Sequence, residues 1–162
     1  MHPQLRILEP FLGKWVGSGQ GTFPGIQPFH YEECFLLSLD GNGERIYFEE
    51  KAYRTSTDQL SDNRFHSELG SIRIVGNSLE AVLVHASGRV EILDLLQNQE
   101  GQGLLWKSKR IENDIRMPQG CESLRAWNIE NGVLQYSFAM STARVPQPTA
   151  HLRGSLKKQS NL

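Results

Sequence analysis

Gly13-Lys14-Trp15-Val16-Gly17-Ser18-Gly19, followed closely by Phe23-Pro24-Gly25-Ile26-Gln27-Pro28-Phe29, sets the architecture of this chain. Gly13, Gly17 and Gly19 share one phase of a two-residue alternation with Trp15. In a strand, that phase is bare of side chains except for one indole. Bare positions leave room for a neighbouring backbone or a ligand to approach. Trp15 in the same phase can close the floor of a barrel as a rigid apolar plug. The plainer alternative is a strand with a tight bend, so the stretch speaks to architecture before function.

Strand signals continue outward from it. Phe29, Tyr31, Glu33, Phe35, Leu37 and Leu39 alternate with His30, Glu32, Cys34 and Leu36, and Asp40-Gly41-Asn42-Gly43 supplies a hairpin turn. Further strands are predicted over 44–54, 64–75, 78–84 and 89–95, with a polar loop over 55–63. The second half continues with strands over 103–109, 121–129, 133–141 and 149–158, and a less regular stretch through Met117-Pro118-Gln119-Gly120. Asn131-Gly132 is a strong hairpin signal, and two prolines mark the loop over 142–148. Upstream, residues 5–12 form a turn or two of helix interrupted at Pro10.

About ten short strands without helical crossovers predict an all-β antiparallel meander. Closing it into a ten-stranded barrel removes vulnerable edges and leaves an interior for one small ligand. A flattened sandwich is the competing architecture. With 162 residues and no linker, the chain reads as a single domain over 1–162.

A net charge of -1 argues against an electrostatic nucleic-acid or membrane-surface binder. Hydrophobic residues at 38% and charged ones at 22% fit a soluble globular chain, and no apolar run approaches the roughly 20 residues of a membrane span. The first residues lack the apolar segment of a secretory signal. Cys34 and Cys121 are too few for a disulfide framework or zinc cluster, and read as reduced residues of a cytoplasmic protein.

Five motifs in order, spanning nearly the whole chain, resemble the nitrobindin family. Residues 13–19 look like its Gly-x-Trp-x-Gly-x-Gly signature, and residues 23–33 look like the aromatic-Pro-Thr-Ile-x-Pro-Phe-x-Tyr-x-Glu segment that follows. Phe65-His66-Ser67-Glu68-Leu69-Gly70 is similar to Met-His-x-Glu-x-Gly, and Ser87-Gly88-Arg89-Val90-Glu91 to Thr-Gly-x-Val-Glu. The run from Met140 to Leu152 matches the closing Met, Gln-Pro and His-Leu elements. The resemblance implies a lipocalin-like barrel, related in shape to fatty-acid-binding proteins, with one ferric haem b per chain. It further implies reversible nitric oxide binding and isomerisation of peroxynitrite to nitrate. His151 stands where the family's proximal histidine does.

His151 is accordingly the expected axial ligand, with His66, Gly25, Phe65 and Arg153 as further cofactor contacts. Haem iron needs a neutral imidazole oriented by a second partner. Strict alternation puts His151 on the face of Arg153, Ser155 and Lys157, opposite Ala150, Leu152 and Leu156. Two arrangements bring it inward: a polar-lined cavity, with Arg153 beside a carboxylate-bearing ligand, or a bulge that shifts the phase. His66 is either a haem neighbour or a structural histidine bonded to Glu68. His30 and His85 read as surface or strand-end residues, and His2 lies in the terminus.

Two features depart from the family. Gly25 replaces a threonine hydroxyl, and the spacing from Met140 to His151 is one residue longer. Both favour an alternative: a haem-free carrier of an apolar or carboxylate-bearing small molecule, as monomer or homodimer. A haem store or shuttle is a third reading. No nucleophile elbow, phosphate loop or His-Glu-x-x-His motif is present. Glu32-Glu33 and Glu49-Glu50 are adjacent acids that face opposite ways, so neither pair alone makes a carboxylate site. Lys107-Ser108-Lys109-Arg110 reads as a solvated strand edge.

Overall fold

The computed structural model describes residues 1–54, 64–97, 103–115 and 119–159, with the side chains of Arg64, Phe65 and Gln97 outside the described set. The loop expected over 55–63 and the Met117-Pro118 pair also lie outside it. Ten strands run in chain order: β1 (Gly13–Phe23), β2 (Ile26–Leu39), β3 (Arg45–Arg54), β4 (Arg64–Val75) and β5 (Ser78–His85), then β6 (Val90–Gln97), β7 (Gly103–Glu112), β8 (Gly120–Glu130), β9 (Val133–Thr142) and β10 (Thr149–Lys158).

Each strand pairs antiparallel with its sequence neighbours, and β1 pairs with β10 from Trp15 opposite Lys158 to Gly21 opposite Leu152. That last ladder closes the ring, so the antiparallel ten-stranded barrel is the architecture and the flattened sandwich is not. Asn131 and Gly132 both take positive φ, 51° and 77°, as the tight β8–β9 hairpin requires.

The bare phase of β1 is filled by the protein itself. A Cβ on Gly17 would collide with the Ser155 carbonyl and Leu156 Cα of β10, at 2.8 Å from the latter. Gly19 and Gly21 lie under the rings of Tyr31 and Phe29. Trp15 is 2% exposed, and its indole N–H donates to the Phe11 carbonyl at 2.8 Å. Phe11 belongs to a 3₁₀ helix, Pro3–Phe11, which passes through Pro10 rather than breaking there. A 3₁₀ helix repeats every three residues, so Leu5, Leu8 and Phe11 form one buried stripe against the barrel. Phe11, Trp106 and Phe48 gather around Trp127, with ring centroids 5.5–6.1 Å from it. This end of the barrel is sealed.

Candidate functional site

The opposite end stays open. A cavity of about 700 Å³ runs inward from the β1–β2 turn, the β5–β6 turn and the β9–β10 loop. Its outer wall is apolar and aromatic, with Phe23, Ile26, Phe29, Phe138, Met140 and Leu152. Arg54, Arg89 and Arg144 stand in the same wall.

His151 enters the wall through two adjoining irregularities. Opposite β9 the register shifts between Ala150 and Leu152, leaving His151 as the extra residue; in the β1–β2 ladder it shifts between Gly21 and Phe23, where Thr22 faces both Gln27 and Pro28 of β2. A bulge leaves its residue unpaired and resets the side-chain phase. His151 therefore lines the cavity together with Leu152, instead of facing solvent with Arg153.

The His151 Nδ1–H donates to the Thr22 carbonyl at 2.9 Å. Fixing that nitrogen as the donor leaves Nε2 as the lone-pair nitrogen, the state a metal requires. Phe23, Phe29 and Phe138 surround the ring at centroid distances of 5.3, 6.3 and 6.0 Å. Burial holds the imidazole below its ordinary pKa, against the opposing pull of the Thr22 carbonyl, so the neutral form is favoured. A neutral, oriented imidazole in an aromatic wall, beside arginines suited to carboxylates, fits haem.

The remaining expected contacts divide. Gly25 lines the cavity at φ 85°, following Pro24 in the tight turn between β1 and β2. Pro followed by a positive-φ residue is the pattern of a type II turn, which explains glycine where a threonine was expected. His66 also lines the cavity, but its Nε2 lies 2.7 Å from Glu68 Oε1, and Glu68 is deeply buried. Arg153 is exposed and does not line the main cavity; it borders an adjoining hollow with Gln20, Thr22 and His30, which shares Phe29, His151 and Leu152 with that cavity. The bulge that turns His151 inward leaves Arg153 outside. The side chain of Phe65 lies outside the described residues.

His85 corrects the sequence reading. It does end β5, but it is 4% exposed, because it continues the inward phase of Leu79, Ala81 and Leu83. Its Nδ1 is 3.2 Å from Glu68 Oε1 and its Nε2 3.5 Å from Glu91 Oε1. Burial lowers its pKa.

Beneath the apolar wall lies a polar belt. Glu50, Glu68 and His85 stand directly opposite one another across β3, β4 and β5. Glu33 of β2 and Glu91 of β6 are buried beside them. Arg125 of β8 forks onto Glu68 with Nη1–Oε2 at 2.8 Å and Nη2–Oε1 at 2.9 Å, and reaches Glu91 at 3.2 Å. Burial alone would raise the Glu68 pKa, but Arg125, His85 and His66 hold it well below the carboxylate range. The other two acids go the opposite way. Burial pushes Glu33 up to about 7, and burial with the charge of Glu68 raises Glu50 well above its ordinary value. Tyr31 and Tyr136 share a hydroxyl hydrogen bond next to Glu33.

Sequence reasoning missed Glu33, Glu50, Glu91, Arg125 and the Thr22 carbonyl. A signal for four of them existed. Each acid or base occupies the inward phase of its strand, as in Tyr31-x-Glu33-x-Phe35 and Arg125-x-Trp127. The adjacent pairs Glu32-Glu33 and Glu49-Glu50 do split across the sheet, and their inward members, Glu33 and Glu50, come together from different strands.

The model of THAP4-like, heme-binding beta-barrel domains matches residues 4–158. Curated relatives include peroxynitrite isomerase 1 of Mycolicibacterium paratuberculosis, 39% identical with 98% of this chain and 97% of that protein covered. Peroxynitrite isomerase 2 of Mycobacterium marinum is 36% identical, covering 99% and 98%. Among solved structures, Rv2717c from M. tuberculosis superposes with a TM-score of 0.84 at 25% identity, over 99% of both chains.

Proposed function

Since this chain belongs to the family of THAP4-like, heme-binding β-barrel domains, we propose that its cavity holds one ferric haem b per chain, with the iron on His151 Nε2, and that the loaded protein binds nitric oxide and isomerises peroxynitrite to nitrate. One observation carries the site assignment: the β10 bulge that turns His151 inward, with its Nδ1–H bonded to the Thr22 carbonyl. The relatives named peroxynitrite isomerase supply the reaction. When bound, haem supplies an iron centre at which small nitrogen oxides are coordinated and rearranged.

The chain's own residues then have distinct tasks. Thr22 fixes the tautomer and plane of His151. Phe23, Phe29 and Phe138 keep water from the imidazole and present a flat apolar wall to a macrocycle. Arg54, Arg89 and Arg144 suit the carboxylates of haem and draw small anions toward the mouth. Arg153, on the outer face, has no part in this arrangement. Gly25 brings no hydroxyl, so the turn adds no side-chain donor at the mouth. The two free thiols, Cys34 and Cys121, suit a reducing cytoplasmic setting, for a monomer or homodimer.

The reaction is tested by following peroxynitrite decay and nitrate yield with the haem-loaded protein beside an equal concentration of free haemin. Faster decay with more nitrate is expected. Decay no faster than with free haemin would reduce the protein to a haem store or shuttle.

A further inference from the structure

Haem ligation through His151 leaves the polar belt at the cavity floor without a task. Four glutamates face inward there, Glu33, Glu50, Glu68 and Glu91, while Arg125 is the sole buried cation among the described residues. Several atoms have no hydrogen-bond partner, acceptors and a donor alike: Oε1 of Glu91, Nε2 of His85 and Nε of Arg125. All three side chains are more than nine-tenths buried. Four inward carboxyls with two imidazoles and one guanidinium offer more ligand atoms than cations, which suits the network to accept a metal ion.

The geometry names the place. His66 Nε2 and His85 Nδ1 converge on one atom, Glu68 Oε1, at 2.7 and 3.2 Å. The ligand atoms of the three residues lie within 4.8 Å of one another. An ion about 2.1 Å from each of three ligands holds them roughly 3.0–3.5 Å apart. A shift of about an ångström in the imidazoles reaches that spacing. We propose that His66, Glu68 and His85 form a second, haem-independent site for a first-row divalent transition-metal ion, at the floor of the barrel.

The ion takes the place of the two imidazole protons that now meet at Glu68 Oε1. Arg125 keeps Glu68 Oε2 through Nη1, and its Nη2 already reaches Glu91, so the guanidinium becomes the group that orients the ligating carboxylate. Glu50 Oε1, 4.0 Å from His66 Nε2, is within reach as a fourth ligand. Two imidazoles with one carboxylate select zinc or ferrous iron over calcium or magnesium, which take oxygen ligands.

The test is a Co²⁺ titration of the full-length protein, haem-free and haem-loaded, read by visible d–d absorption and by competition with Zn²⁺. One equivalent is expected in the wild type and in His151→Ala, with affinity at least tenfold weaker in His66→Gln and in His85→Gln. Far-UV circular dichroism establishes that the variants are folded. Glu68→Gln is avoided because Glu68 also anchors Arg125. Absence of saturable binding, binding that persists in both histidine variants, or binding lost in His151→Ala would each overturn the assignment.

Discussion

At the mouth of the cavity, β10 breaks its alternation at His151 and turns one imidazole inward among Phe23, Phe29 and Phe138. At the floor, the inward-facing residues of five strands, β2, β3, β4, β6 and β8, gather four carboxyls around one guanidinium. The two constructions differ in what they fix. The bulge sets a single nitrogen against a backbone carbonyl, which no side-chain change can remove. The floor is a coupled network in which each charge depends on its neighbours, so the loss of one member is felt by all.

The largest effect should follow from breaking the floor. Arg125→Met leaves Glu68 and Glu91 buried without their cation, and a loss of about 3–5 kcal/mol is expected in urea unfolding. His151→Ala at the mouth should cost less than about 1 kcal/mol in the haem-free protein. Equal losses in the two variants would erase the distinction drawn between mouth and floor.

A second contrast is in pH. Glu33 keeps its proton in the folded barrel up to about 7, above its ordinary 4.5, whereas the unfolded chain loses it earlier. The folded state then binds more protons, so this group's contribution to stability falls as pH rises from about 4.5 to 7. Glu33→Gln removes that slope. The variant should gain on the wild type across this window, by roughly 1–3 kcal/mol at pH 8. Parallel stability curves would place the excess proton elsewhere in the belt.

Smaller effects are expected at the rim. Gly25→Thr forces a branched residue to φ 85°, where a Cβ meets no atom within 4 Å, so the cost is backbone strain of about 1–2 kcal/mol with no clash. Arg153→Ala should leave haem affinity within about 0.5 kcal/mol. A larger loss of affinity would return Arg153 to the ligand's surroundings.

The barrel was legible because its signals are local. Alternation over residues 29–39, the Asn131-Gly132 hairpin and the bare phase around Trp15 each act within a few residues. The mouth was half legible. Resemblance pointed to His151, but alternation placed it beside Arg153, and a bulge depends on pairing with a neighbour that the sequence does not display. The role of Thr22 is invisible for a further reason: its functional atom is a backbone carbonyl, which any residue carries. The floor was hidden by distance along the chain. Glu33, Glu50, Glu68, Glu91 and Arg125 come from five strands, and only closure of the barrel brings them together. His85 was misplaced although it shares the inward phase of Leu79, Ala81 and Leu83, since its partners Glu68 and Glu91 come from neighbouring strands.

The bulged His151 is expected to present Nε2 to haem. Haemin titrated into the purified wild-type protein and into the His151→Ala variant, with the absorption spectrum read at each step, puts that ligation to the test. Saturable one-to-one binding with a sharp haem band, lost in the variant while the barrel stays folded, is the predicted result. An unchanged haem spectrum in His151→Ala, or no saturable binding by the wild type, would contradict it.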